Sequence, residues 1–208
     1  MRPNLLIVGS QKGGSTWLYD CLSLHKQVFL PKRVELLFFN KKSSKNKAAE
    51  SDYLNNFIGS TDYSIVGEKT PSYLWAVDEN CKFCKPPVDH NPNLFRDAVD
   101  FCGDDLKIIY SLRHPVWRAV SGFFHHAKRD RINPGDSIKK WYDKFGIVDL
   151  GFYSRHIAAW KSVLKEGHDL PLVMERDIVS DPSKGLAKVF DFLNLYEDFS
   201  ILRGSPSN

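Results

Sequence analysis

Leu5-Leu6-Ile7-Val8-Gly9-Ser10-Gln11-Lys12-Gly13-Gly14-Ser15-Thr16-Trp17 is the stretch on which the fold turns. Four consecutive apolar residues closed by Gly9 predict a short strand buried on both faces, as in a parallel sheet. From Thr16 to His25, the residues Trp17, Leu18, Cys21, Leu22 and Leu24 recur at helical spacing. A glycine-rich loop therefore joins a buried strand to a helix.

The loop matches the glycine spacing of the phosphate-binding pattern GxxxxGK[ST], with Gly9, four residues, then Gly14. The lysine expected at position 15 is Ser15, and Lys12 stands inside the loop instead. Gly13 and Gly14 let the backbone approach an anion. The first amides of the helix point at that anion with the positive end of the dipole. Ser15 and Thr16 add hydroxyls. A kinase or ATPase needs the lysine on the β- and γ-phosphates together with magnesium. This loop fits better a donor whose transferred group lies closer to the nucleoside and needs no metal.

Working outward, Gln27–Leu30 reads as a short extended piece and Lys32–Asn40 as a loop. Lys41–Lys47 reads as a solvated lysine- and serine-rich loop. Ser64–Glu68 reads as a strand that runs into Lys69-Thr70-Pro71. Leu106–Leu112 is a second buried strand, and Pro115 opens a helix that reaches His126. Phe152–Glu166 has helical spacing, Leu170–Met174 reads as a strand, and Asp181-Pro182 caps a helix that ends at Leu193. Segments 41–62 and 78–95 read as loops. Strands alternate with helices, which implies an α/β fold of three layers, P-loop-like, with a central parallel sheet flanked by helices.

The chain has 208 residues, and residues 1–208 are expected to form one domain. The net charge of +4 is too mild to indicate a nucleic-acid partner, although it suits a protein that handles a small polyanion. No run of about eighteen apolar residues exists, so no membrane span is expected. Met1-Arg2-Pro3-Asn4 leads directly into the first strand without the pattern of a signal peptide, and a cytoplasmic location is expected. The four cysteines make no disulfide framework. Cys81 and Cys84 form one CxxC beside Lys82 and Lys85. One such pair is weak evidence for zinc, and no metal site is expected. Cys21 and Cys102 read as core residues.

A second motif follows the Leu106–Leu112 strand. Arg113 lies at the carboxyl end of that strand, where open α/β sheets bind ligands. Ser121 comes two helical turns later and is placed to address the same anion. The planar fork of an arginine suits a phosphate. Arg118 is a second candidate on the same helix, and a structural ion pair is the alternative for Arg113.

The two motifs together resemble those of the PAPS-dependent sulfotransferases, in the heparan sulfate and bacterial flavour of that family. Gln11-Lys12-Gly13-Gly14-Ser15-Thr16-Trp17 resembles the family's 5′-phosphosulfate loop. Arg113-His114-Pro115 with Arg118 and Ser121 resembles its 3′-phosphate motif. Gly67–Tyr73, Gly151-Phe152-Tyr153 and Val189–Leu193 are further points of likeness, and the resemblance covers about residues 5 to 195. It implies a sulfotransferase that moves a sulfuryl group from PAPS to an acceptor hydroxyl or amine, foremost of a carbohydrate, otherwise of a small molecule. It implies that Lys12 meets the 5′-phosphosulfate and the departing bridge oxygen. Gly13, Gly14, Ser15, Thr16 and Trp17 would cradle the 5′-phosphate, and Arg113 and Ser121 would hold the 3′-phosphate. Glu35, upstream of Phe38-Phe39, would be the general base, and Lys69 would orient sulfate or acceptor.

The chain departs from the family pattern in three places. Leu37 stands where many relatives have histidine, and Asn40 where some have aspartate. After Leu195 the family continues into a basic, glycine-containing loop, for which Arg203-Gly204 is the candidate here, so the domain is expected to be short at its C-terminus. Two other functions remain open on the residues alone. One is a P-loop nucleotide kinase or NTPase, against which Ser15 and the absence of an aspartate-ended Walker-B strand argue. The other is a non-catalytic relative that binds PAPS, PAP or a glycan. His125 and His126 read as surface or interfacial, His25 as packing the end of the first helix, and His156 and Trp160 as core.

Overall fold

In the computed structural model, which describes residues 1–32, 35–41, 46–78, 80–83 and 90–204, five strands form one parallel sheet. They are β1 (Leu5–Gly9), β2 (Val28–Phe29), β3 (Ile65–Lys69), β4 (Lys107–Leu112) and β5 (Asp169–Val173), in the order β2-β3-β1-β4-β5. β1 lies between β3 and β4. From β1 the chain goes to the edge strand β2, returns to set β3 beside β1, and then crosses to β4 on the other side. The point where strand order reverses therefore lies at the carboxyl end of β1, the place where such sheets bind ligands.

Helices cover both faces. They are α1 (Ser15–Ser23), α2 (Lys47–Asn55), α3 (Leu94–Cys102), α4 (Pro115–Ala127), α5 (Tyr153–Lys161), α6 (Pro182–Leu193) and the single turn α7 (Ile201–Gly204). Successive strand residues point to opposite faces. Leu5 and Ile7 of β1 join a core with Trp17, Leu18 and Leu22 of α1 and with Leu186, Val189 and Phe190 of α6. Leu6 and Val8 join the opposite core with Tyr53 of α2, Leu94 and Ala98 of α3, and Trp160 of α5. The expected three-layer α/β fold is the fold observed. α4 sits beside these layers and builds a small core of its own, Phe123 and Ala127 against Ile132 and Ile147.

Local chemistry sets several boundaries. Asp181 accepts from the Lys184 amide at 3.1 Å and starts α6 with Pro182 in its first turn, as the sequence predicts. α5 ends at Lys161, short of the expected Glu166. Val163 and Leu164 both turn back onto the Trp160 carbonyl and stay packed on the second core. α2 corrects the reading of 41–62 as a loop, whereas α3 takes in only the last two residues of 78–95. Asn46 caps α2 by accepting from the Ala48 amide at 2.8 Å, and α2 buries only Tyr53, too little for a helical period to stand out. Met174, expected to close the last strand, instead opens a π-helical turn, Met174–Val179. Among the described residues, no helix is long and apolar enough to cross a membrane. Cys84, the second member of the CxxC, lies outside the described residues, as do Lys42 and Lys45 of the lysine-rich segment.

Candidate active site

Four strands deliver chemistry at their carboxyl ends. The glycine-rich loop follows β1, Lys69 closes β3, Arg113 follows β4, and the π-helical turn follows β5.

The loop is pressed against the end of β4. The Ser10 amide donates to the Ser111 carbonyl at 2.5 Å, the Gly13 amide donates to the Ser10 carbonyl at 2.9 Å, and the Ser111 hydroxyl donates to the Gly13 carbonyl. A Cβ on Gly13 would fall onto the Ser111 carbonyl oxygen, so only glycine allows this approach. Gly14 is the N-cap of α1, in the left-handed region at φ 89°, and a Cβ there would collide with the Met174 side chain. These two glycines turn the chain sharply enough to aim the first amides of α1 into the mouth of the loop. Among the described residues, the amides of Gly14, Ser15, Thr16 and Trp17 have no acceptor. Four orphan donors at a helix N-terminus are what an anionic ligand satisfies, so the loop is built to cradle an anion such as a phosphate. Lys12 is exposed at the loop's outer edge, at φ 65°. Trp17 contributes its amide only, because its indole is buried in the core of α1 and α6.

Lys69 is buried, with 4% of its side chain exposed, and its ammonium is 3.3 Å from the Thr16 hydroxyl and 3.7 Å from Glu35 Oε1. Glu35 is tied to the same strand end, since its amide donates to the Lys69 carbonyl at 3.0 Å. Its side chain is half-exposed and faces the open side. Lys69 therefore joins the loop to Glu35. Beneath it, the buried Glu68 carboxyl accepts from Tyr53 at 2.7 Å, Thr70 at 2.7 Å and Tyr73 at 3.0 Å. Burial pushes the Glu68 carboxyl up from its ordinary pKa, and the three hydroxyls oppose that shift. The Tyr73 hydroxyl also takes the Phe39 amide at 3.3 Å, which anchors the segment that carries Glu35.

Arg113 stands at the mouth of β4, and its Nε is 3.3 Å from Glu175 Oε1. The Glu175 carboxylate also accepts from the His114 amide at 3.2 and 3.4 Å. Ser121 lies two turns into α4, half-buried, and among the described residues its hydroxyl has no hydrogen bond. Arg118 does not face this site. It is wholly buried, its Nη2 donates to the Gly146 carbonyl at 3.2 Å and also to the Ile147 carbonyl, and burial pushes its pKa down to about 10.

Tyr153 links the two motifs, a role not legible in its helical spacing. Its hydroxyl donates to the Arg113 carbonyl at 2.7 Å and lies 3.4 Å from the Ser10 hydroxyl. His125, half-buried on α4, lies within electrostatic reach of both Lys12 and Glu35. Burial first, then the charges of Arg129 and Lys12, push its pKa down, and Glu35 opposes them. His126 is buried instead, stacked on Phe145 at 4.5 Å. His156 and Trp160 are core, and His25 packs between Phe190 and Tyr196.

Residues 2–201 match the family model described as the sulfotransferase domain. The mouse heparan sulfate glucosamine 3-O-sulfotransferase 3A1 is 28% identical over 201 residues, which are 93% of this chain and 46% of that protein. The chain thus spans about half the length of the curated relatives it matches. Among solved structures, a sulfotransferase from Alicyclobacillus acidocaldarius superposes with a TM-score of 0.75 at 22% identity, covering 100% of this chain and 85% of that one. Mouse sulfotransferase SULT7A1 complexed with PAP superposes with a TM-score of 0.62 at 17% identity, covering 97% and 61%. At these identities the two structures speak for the fold.

Proposed function

The chain belongs to the sulfotransferase domain family, and on that premise we propose that it moves a sulfuryl group from PAPS to an acceptor hydroxyl or amine, foremost of a carbohydrate. The observation that carries this reading is the buried Lys69 ammonium, set between the Thr16 hydroxyl of the phosphate loop and the Glu35 carboxylate. It puts a proton acceptor beside an anion cradle, at the one end of the sheet where Arg113 also lies. The carbohydrate acceptor is supported by relatives named as heparan sulfate glucosamine 3-O-sulfotransferases.

Bound PAPS supplies a sulfuryl group on a phosphate leaving group; the protein must orient the acceptor, take its proton and neutralise the departing oxygens. The amides of Gly14 to Trp17, with the hydroxyls of Ser15 and Thr16, hold the 5′ end. Arg113 and Ser121 hold the 3′-phosphate. Lys12, exposed at the loop edge, and Lys69, buried behind it, place positive charge at the transferred group and its leaving oxygen. Glu35 is half-exposed and fixed at the backbone by the hydrogen bond its amide donates to the Lys69 carbonyl, so it meets an acceptor from solvent and takes its proton.

Base catalysis of this kind is worth about 10²–10⁴-fold. Glu35→Gln is expected to lower kcat by that factor and leave the Kd for PAP within about twofold. PAP is expected to raise the thermal midpoint of the wild type by several degrees and that of Lys12→Ala by less, with little effect of ATP–magnesium. Stabilisation by ATP–magnesium and not by PAP would sink the proposal. So would a Glu35→Gln variant that retains full turnover.

A further inference from the structure

Arg113, the residue read as the 3′-phosphate ligand, already holds an anion of the protein's own. Glu175 Oε1 is 3.3 Å from its Nε, and the same carboxylate takes the His114 amide at the start of α4. A guanidinium and a helix N-terminal amide are both donors that suit a phosphate. Here a carboxylate uses both.

Glu175 is held close to the donor site from two sides. Its neighbour Met174 packs against Gly14, at the point where a Cβ on that glycine would strike the methionine side chain. The turn that carries Glu175 is pinned by the buried Asp177, which accepts from the Val173 amide at 2.8 Å, from Arg176 Nη2 at 2.7 Å and from Lys188 at 2.6 Å. The backbone at Glu175 is therefore fixed, while its side chain, 44% exposed, is free to rotate away from Arg113. A 3′-phosphate carries nearly two negative charges at neutral pH. It cannot share Arg113 with a carboxylate at hydrogen-bond range without strong like-charge repulsion.

We propose that Glu175 is an intramolecular competitor for the donor's 3′-phosphate, so that it determines how strongly the site distinguishes a 3′-phosphorylated nucleotide from one without that group. This rests on the reading of Arg113 as the 3′-phosphate ligand. In the empty site Glu175 neutralises Arg113 and occupies the His114 amide. When a 3′-phosphate arrives the carboxylate swings into solvent, and its residual repulsion weakens binding. A nucleotide without a 3′-phosphate leaves the pair intact. Preference for the 3′-phosphorylated donor is consequently smaller than Arg113 and the α4 amide would provide by themselves.

The test is calorimetric binding of PAP and of 5′-AMP, which lacks only the 3′-phosphate, to the wild type, Glu175→Gln, Glu175→Ala and Arg113→Ala, with thermal midpoints for each. Glutamine removes the charge and keeps an oxygen for the His114 amide. Alanine removes both, so a pure capping role appears as a lower midpoint without a change in selectivity. A unit charge a few ångströms from a phosphate, partly screened by solvent, is expected to change binding on the order of tenfold. Glu175→Gln and Glu175→Ala are therefore each expected to bind PAP about tenfold more tightly, with 5′-AMP unchanged within about twofold. Arg113→Ala is expected to weaken PAP selectively. Equal PAP affinity in wild type and both Glu175 variants, or a parallel shift of PAP and 5′-AMP, overturns the inference and leaves the donor site standing. PAP affinity untouched by Arg113→Ala, or no PAP binding by any of the four proteins, overturns the donor-site reading and the inference with it.

Discussion

Removing one hydroxyl, by Tyr153→Phe, tests whether the two anion-binding motifs are mechanically joined. Tyr153 donates to the Arg113 carbonyl at 2.7 Å, a short bond in good range. Its contacts with the Ser10 hydroxyl at 3.4 Å and the Arg113 amide at 3.5 Å are at the edge of that range and count for little. One good hydrogen bond contributes about 1 kcal/mol net, and a carbonyl left without its partner raises the loss to about 1–2 kcal/mol. For a chain of 208 residues that is a drop of about 2–8 °C in thermal midpoint. Phenylalanine fills the same volume, so no cavity adds to the cost. The same bond fixes the backbone from which Arg113 projects to the start of α5, whose tyrosine also lies beside the Ser10 hydroxyl of the phosphate loop. If about 1 kcal/mol of that positioning is lost from the bound state, the Kd for PAP rises about fivefold. Thermal unfolding and PAP calorimetry on the two proteins give both readings. A lower midpoint with an unchanged PAP Kd would refute the reasoning, because Tyr153 would then stabilise the fold without aligning the motifs.

Two further expectations follow from buried titratable groups. Burial, reinforced by the charges of neighbouring His125, Arg131, Arg129 and Arg118, pushes His126 from its ordinary 6.5 down to about 4. As pH falls through that window the unfolded chain takes up the proton and the folded chain does not, so stability is lost between about pH 6.5 and 4, by up to roughly 3 kcal/mol. Urea midpoints at pH 7, 5.5 and 4.5 are expected to fall less steeply for His126→Gln than for the wild type, and identical slopes would contradict this. Asp177 is held well below the usual carboxylate range, first by its bonds to Arg176, with Lys188 and the Val173 amide adding to it. Asp177→Asn is expected to cost about 2–3 kcal/mol in urea denaturation, and a loss below about 0.5 kcal/mol would show that the buried charge is dispensable.

Much of the site was legible because its parts are local. The loop of Gly9 to Thr16 announces itself through a strand, two glycines and a helix in register, and Arg113 through its place after a buried strand. Lys69 stands within a short run at another strand end. Trp17 shows the limit of that legibility. It sits in the loop motif, yet helical spacing places its indole toward α6, so only its backbone faces the site. Arg118 shares a helix with Ser121, but its rotation about that helix buries it against Gly146 and Ile147. α2 went unseen because a helix that buries one tyrosine leaves almost no periodic trace.

Taken alone, the sequence determined the alternation of strands and helices, the phosphate loop, and the membership that the loop and Arg113 motifs point to. These depend on neighbours within a dozen residues, where propensity, periodicity and capping act. The tertiary structure alone decided the meetings across the sheet: Lys69 with Thr16 and Glu35, Tyr153 with Arg113 and Ser10, and Glu175 with Arg113. Those pairs are separated by 34 to 143 positions along the chain. They meet because strand order β2-β3-β1-β4-β5 brings four strand ends to one crevice, and that order is set by packing of both sheet faces, which no single stretch of sequence encodes.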